Sequence, residues 1–375
     1  MPSSTEISSK IPLLIQQQTH LDQACDAIGE HSQIAIDTEF VRTKTYAPHL
    51  GLLQITAGEL TVCIDPLADL DMGRLWDLLF DPKRMSILHS GKQDMEVMWF
   101  ERGTVITNLM DTQICAGLLG HPAQIGYAGL AAELLNVDIS KDQTRTDWSR
   151  RPLTDAQLRY AAEDVVHLPK LHELLKQQLI DKGRYEWALE DSAALSDISL
   201  YKPDPESAWR RVKSIPYIPS EQQARARALS EWRENRAVEL DKPRQWILAD
   251  KTLLQIADAN PADAAALERL SEVPPPVARK QGRKLLSILA AANAAFARGE
   301  VSYQQQIPDR DLDKALSKKL TGFVREQAEQ LGFAAEILAS KRDIHALLRG
   351  NTNSRVTTGW RKTIIGDQLI AELAS

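Results

Sequence analysis

The sequence predicts a mixed α/β domain followed by two small all-α domains, and three observations carry that reading. Strand and helix signals alternate over residues 1–200. Past Asp204, in the polar, proline-bearing stretch YKPDPES, only helical periodicity continues. Within that helical part a weak repeat recurs. Leu229-Ser-Glu-Trp-Arg-Glu precedes Trp246-Ile-Leu-Ala, and Leu320-Thr-Gly-Phe-Val-Arg-Glu precedes Glu336-Ile-Leu-Ala.

In chain order, 33–40 (QIAIDTEF) reads as a buried strand with Ile34 and Ile36 inward. Strands at 51–57 and 60–66 flank Gly58-Glu59, a hairpin-like spacing. A helix at 73–80 closes at Asp81-Pro82. A strand at 84–90 leads into a helix at 91–102, with Met95, Met98 and Trp99 at helical spacing. Residues 108–119 read as a short apolar entry and a helix stopped by Gly120 and Pro122, and 128–135 as another helix. Thr154 is the expected N-cap of a long helix reaching about 168, with Asp155 in its first turn and Pro169 opening or kinking the next segment. In the helical part, Ser220 is the expected cap of a segment running through 240. Pro243, Pro261 and Pro274-Pro275-Pro276 punctuate the helices that follow. Three domains are expected on this basis: 1–200 (core about 10–180), 205–297 and 308–375, the last two joined by a polar linker.

Composition narrows the class. Of 375 residues, 43 % are hydrophobic and 26 % charged, a globular mixture that excludes a mostly disordered chain. Three widely spaced cysteines, Cys25, Cys63 and Cys115, form neither a disulfide framework nor a zinc set and suit a reducing cytosol. No signal peptide and no membrane span is read, so a cytoplasmic protein is expected. The net charge of −6 hides an asymmetry. Residues 1–204 hold 18 Lys/Arg and 30 Asp/Glu, a net of −12, and 205–375 hold 27 and 21, a net of +6. The acidic part is a candidate cation site. The basic part is a candidate polyanion site, because Lys and Arg release counterions from phosphates.

The strongest chemical feature lies in three separate segments. Asp37 and Glu39 end the first strong strand and, two apart, face one side. Asp94 lies near the start of the helix after the strand that ends at His89. Tyr160 and Asp164 stand four apart on one helix face. Converging carboxylates repel unless protonated or neutralised by cations, and an all-oxygen set suits Mg²⁺ or Mn²⁺. Two such ions can polarise a phosphodiester, generate hydroxide and stabilise the leaving oxygen. Tyr160 can orient the attacking water; a phenol with a pKa near 10 is a poor base. The residues alone reach metal-dependent phosphodiester chemistry and no further.

The segments IAIDTEFVRTKTYAPHLGLLQI, ILHSGKQDMEV, MDTQICAGLL and RTDWSRRPLTDAQLRYAAEDVVHL resemble the ribonuclease D family, almost continuously over about residues 10–180. That family belongs to the four-acid, tyrosine-type 3′→5′ exonucleases. The helical repeats resemble helicase-and-RNase-D C-terminal (HRDC) domains. The resemblance implies an α/β ribonuclease-H-like exonuclease domain, a mixed sheet flanked by helices, followed by two HRDC-type domains. It matches the family's motif acids to Asp37, Glu39, Asp94 and Asp164, and its motif tyrosine to Tyr160. Where the histidine subclass carries its His, this chain has Arg159. The resemblance further implies hydrolysis of RNA from the 3′ end, release of nucleoside 5′-monophosphates, two divalent cations per site, and trimming of precursor-tRNA 3′ ends. No protein partner is demanded, and a monomer suffices.

Other residues are candidates for substrate contact: Thr38 and Phe40 beside the acid pair, His89, and the basic stretch Lys141, Arg145, Arg150 and Arg151. Phe40 is equally a packing residue by strand alternation, His89 equally a structural histidine, and the basic stretch equally a solvated loop. Asp111 is read as a helix cap, and Trp148 as packing. Arg210, Arg211, Lys213, Arg225 and Arg227, and the group Arg279, Lys280, Arg283 and Lys284, are candidates for RNA backbone contact. Two other functions share these residues: a DNA 3′→5′ exonuclease, and a non-catalytic RNA-binding scaffold. No GxxxxGK[ST] phosphate loop is present.

Overall fold

The structure is a computed structural model and describes residues 13–140, 142–143 and 146–374. Its centre is a six-stranded mixed sheet in the order β1-β4-β3-β2-β5-β6. The strands are β1 (Leu13–Ile15), β2 (Gln33–Val41), β3 (His49–Ala57), β4 (Leu60–Ile64), β5 (Met85–Leu88) and β6 (Leu109–Asp111). β2, β3 and β4 form an antiparallel meander, while β5 and β6 continue the sheet in parallel beyond β2. β1 pairs parallel with β4 at the other edge.

Helices cover both faces, as alternation in β2 requires. On one face Ile34 and Ile36 pack with Leu53, Ile55, Val62 and Ile64 against α1 (Gln18–Gly29), α2 (Gly73–Leu79) and α3 (Lys92–Arg102). The opposite face carries Ala35, Leu52, Cys63 and Ile87. It is covered by α6 (Asp155–Val166) and the start of α7 (Leu168–Asp181), which follow α4 (Thr112–Leu119) and α5 (Tyr127–Leu135). Thr154 caps α6 in a capping box with Gln157, and Pro169 sits in the first turn of α7, where its missing N–H costs nothing.

After α8 (Tyr185–Ala193), residues 202–312 form a compact unit of their own, together with 42–47. Its core joins α9 (Ser220–Glu239), α10 (Asp250–Ala259) and α11 (Pro275–Ala297) through Leu229, Leu253, Ile256, Leu285 and Leu289. Ser220 is the first residue of α9 rather than its cap, which is Pro219; the Ser220 hydroxyl instead accepts the Tyr303 N–H at 2.9 Å.

The last helices, α12 (Lys314–Leu331), α13 (Lys341–Leu348) and α14 (Asp367–Ala374), belong to the same compact unit as the sheet. Leu320, Val324, Leu338 and Ile344 share one hydrophobic cluster with Cys115, Leu118, Leu171 and Leu175. Trp187 stacks on Trp360 with ring centroids 4.4 Å apart, and Asp191 takes both guanidinium nitrogens of Arg361 at 2.6 and 2.7 Å. The chain comes so close here that a Cβ at Gly120 (φ +105°) would lie 2.5 Å from the Gly332 carbonyl oxygen.

Candidate active site

The acid pair owes its placement to β2. Asp37 and Glu39 point to the face covered by α6, and a register shift after Glu39 marks a bulge at the end of the buried strand. α6 brings Asp164 down onto the pair, so that oxygens of Asp37, Glu39 and Asp164 all lie within 4.8 Å of one another. One turn earlier on α6, the Tyr160 hydroxyl donates to the Asp164 carboxylate.

Asp94 arrives from the other side of the sheet, in the first turn of α3. Its Oδ1 accepts both the Thr38 N–H, at 3.0 Å, and the Thr38 hydroxyl, at 2.5 Å. Those bonds fix the carboxylate at the end of β2, near enough for its charge to raise the Asp37 pKa. The turn that starts α3 is itself held: Asp111 accepts the N–H groups of Ser90 and Gly91 at 3.1 and 2.9 Å, besides capping α4.

The electrostatics are those of like charges crowded together, Asp94 buried and the other three half-buried at the cleft. Burial, then the charges of Asp94, Asp164 and Glu39, push Asp37 well above the usual carboxylate range. Burial, then the charges of Asp164 and Asp94, push Glu39 up to about 9. Burial raises Asp164 to about 7 against the Tyr160 hydrogen bond, and Asp94 to about 6 against its bonds from Thr38. Four raised, oxygen-only groups crowded at one place fit a hard divalent cation.

The acids line a cleft of about 420 Å³, whose walls also include Phe40, Gln93, Tyr127, Trp148 and Tyr160. Trp148 is almost wholly buried and tilts against Tyr160 at 6.2 Å between centroids. It needs Gly51, where a Cβ would lie 2.8 Å from the Trp148 Cβ. Sequence reasoning missed Tyr127 and Gln93. Tyr127 stands at the start of α5 with no chemical pattern around it, and its hydroxyl donates to the Glu163 carbonyl. Phe40 lines the cleft and packs against the core, so both readings of it meet in one ring.

Several expected substrate contacts have other work. Thr38 is buried and spends its hydroxyl on Asp94, which makes it a support for that carboxylate. His89 lines the cleft, yet Nδ1 meets the Thr112 hydroxyl at 2.9 Å and Nε2 the Ile125 carbonyl at 3.0 Å, leaving neither nitrogen for RNA. Arg151 chelates Asp65 at 2.6 and 2.7 Å and bonds the Gly51 and Trp148 carbonyls, locking the loop before α6 onto the sheet. Lys141 and Arg145 lie outside the described residues.

In the separate helical unit, Arg225 is buried on Glu221, Asn293 and the Ala257 carbonyl, so it is a core residue and not an RNA contact. Arg227 is sandwiched between Trp209 and Tyr303, 3.7 Å from each ring centroid. Arg279, Lys280, Arg283 and Lys284 of α11 are exposed.

Comparison with known proteins places the site in a family. A sequence family described as 3'-5' exonuclease matches residues 12–180, an HRDC domain matches 222–289, and the C-terminal HRDC domain of ribonuclease D matches 313–369. Ribonuclease D of Gluconacetobacter diazotrophicus is 35% identical over 96% of this chain and 92% of its own. The chain belongs to the ribonuclease D family. Ribonuclease D of Pseudomonas paraeruginosa is 34% identical over 96% of this chain and 97% of its own. The crystal structure of Escherichia coli RNase D, described as an exoribonuclease involved in structured RNA processing, superposes with a TM-score of 0.88 at 30% identity, covering 97% of this chain and 98% of that one. This member of the ribonuclease D family is thus a hydrolase, a 3′→5′ exoribonuclease, with the ribonuclease-H-like α/β domain and HRDC domains expected from the sequence. Use of divalent metal goes with that exonuclease domain and with the carboxylate cluster.

Proposed function

We propose that Asp37, Glu39, Asp94 and Asp164 together hold two divalent cations, Mg²⁺ or Mn²⁺, and that the site removes nucleotides one at a time from RNA 3′ ends. The observation that carries this reading is the convergence of Asp37, Glu39 and Asp164 within 4.8 Å, with Asp94 clamped beside them. Bound there, the cations would offset the carboxylate charge, activate a water and stabilise the leaving 3′ oxygen. The chain's own residues supply the rest. Thr38 fixes Asp94, and the pairing of β2 with β3 sets Asp37 and Glu39. Tyr160, anchored on Asp164 and braced by Trp148, orients the attacking water instead of taking its proton. Phe40 offers a face for the terminal base, which stacks without regard to sequence. Water attack on the last phosphodiester leaves the phosphate on the departing nucleoside, a 5′-monophosphate.

Precursor tRNA with a 3′ extension is the substrate we assign, by analogy with the structured RNA named for the Escherichia coli relative. The exposed basic residues of α11 give phosphate contacts for its body. The enzyme acts as a monomer in the cytoplasm, in keeping with three buried free cysteines. No helix among the described residues is long and apolar enough to cross a membrane.

A gel time course tests the reading, with 3′-extended tRNA beside a matched single-stranded DNA, in Mg²⁺, Mn²⁺ or EDTA. Stepwise shortening of the RNA only with metal is expected. Preferential shortening of DNA moves the substrate, and tight RNA binding without cleavage of either leaves a scaffold.

A further inference from the structure

β3 carries a side chain that nothing in the fold explains. Gln54 is fully buried, and neither its Oε1 nor its Nε2 has a hydrogen-bond partner. Such groups are rare in folded proteins, because a buried amide with no partner has lost its water for nothing. An apolar residue of the same size would suit the core better at that position.

Strand register says where the amide stands. Gln54 pairs directly with Asp37 on one side and with Cys63 on the other. Residues directly opposite in an antiparallel pair project from the same face, with Cβ atoms roughly 4.5–5.5 Å apart. Gln54 therefore shares a face with the acid pair, and its amide is long enough to span that gap. The other polar neighbours are engaged elsewhere. Thr56, two residues along the strand, meets the Thr61 hydroxyl at 3.0 Å, and the Cys63 thiol is turned to the Leu158 carbonyl. Helix α6 covers this part of the sheet and closes it to water.

We infer that Gln54 is a positioning residue for the cation site: its Nε2–H, without a partner in the fold as it stands, donates to one Asp37 carboxylate oxygen once a cation is held there, so that the other oxygen is kept toward the cleft. The buried amide is then a cost of function. A carboxylate that ligates a cation works best when a neighbouring donor fixes its orientation, and loss of such a donor commonly weakens metal affinity or activity about 10–100-fold. This role rests on the cation reading of Asp37 proposed above.

The test uses the full chain with Gln54→Met, which keeps the volume and removes both polar atoms, and Gln54→Leu as a second variant. Mn²⁺ affinity is measured by calorimetry in wild type first, then in each variant, and unfolding temperature is measured in EDTA. The expected result is a pair of opposite effects. In EDTA the variants unfold at the wild-type temperature or above it, because an unpaired buried amide is gone. Mn²⁺ affinity falls about 10–100-fold, with a lowered kcat at limiting metal and an unchanged KM for RNA. Wild-type binding with no change in the variants overturns the role of Gln54 and leaves the cation site standing. Failure of both variants to fold, or a clear drop in their EDTA unfolding temperature, shows that the amide serves the fold and overturns it too. Wild type that binds no Mn²⁺ overturns both readings.

Discussion

Two clusters of buried charge in this chain are built on opposite rules. In the helical unit, Glu234 is buried on α9, and its carboxylate is surrounded by donors. Arg244 reaches both oxygens, at 2.5 and 2.7 Å, and the Tyr46 hydroxyl donates to Oε1 at 2.5 Å. Burial pulls its pKa up, but those bonds outweigh burial and hold it below the usual carboxylate range. At the end of β2 the carboxylates face each other instead, and every one of them is raised. The first cluster is finished by the fold. On the reading proposed above, the second is finished by a bound cation. Buried acids are therefore informative by their partners: paired ones report architecture, and crowded ones report a cation site.

The largest expected effect comes from cutting into the crowded cluster. Asp37→Asn or Asp164→Asn should lower RNA cleavage by more than about 100-fold, beyond what loss of a supporting donor costs. Circular dichroism should show a folded protein. Cleavage near the wild-type rate would remove these acids from the catalytic site.

A large effect is also expected from truncation. Ending the chain at 312 removes α12 to α14 and bares Leu118, Leu171, Leu175 and the Trp187 face. The shortened protein should aggregate or lose cooperative unfolding, as followed by scanning calorimetry. A soluble product with the wild-type midpoint would show that these helices merely append to the nuclease.

In the paired cluster, Arg244→Ala leaves Glu234 buried without its guanidinium, with the Tyr46 hydroxyl still donating to Oε1. Breaking such a pair costs about 3–5 kcal/mol, and the lower end applies because Arg244 is partly exposed. Denaturant unfolding measures it, and a loss under about 1 kcal/mol would place this pair with weak surface bridges.

The smallest effect is graded in pH. For groups whose folded pKa is raised, the folded state holds protons that the unfolded chain releases. Their contribution is complete below about pH 4 and is lost as pH rises through about 6, 7 and 9 for Asp94, Asp164 and Glu39. The unfolding temperature in EDTA should fall across that window. Saturating Mg²⁺ should flatten the fall, and a flat profile in EDTA would contradict the crowding.

Much of this site is legible from the sequence because its residues obey short-range geometry. Asp37 and Glu39 share a face by strand period, Tyr160 and Asp164 by helix period, and Thr154 announces α6 by its capping box. The missed elements have no such period. β1 is three residues long, and α1 lacks a side-chain cap and an acidic first turn. The two basic candidates that the fold engages elsewhere, Arg151 and Arg225, share one reason. A guanidinium in sequence looks free, and only the fold reveals Asp65 beside Arg151 or Glu221 and Ala257 around Arg225. Gln54 is silent in the same way, since its position opposite Asp37 depends on the register of β2 with β3.

The most direct test of the contrast is the unfolding temperature of wild type and Asp37→Asn at pH 8, in EDTA and in saturating Mg²⁺. Crowding predicts that the variant is the more stable of the two in EDTA, and that Mg²⁺ raises wild type far more than the variant. A variant less stable than wild type in EDTA, with an equal response to Mg²⁺, would contradict it.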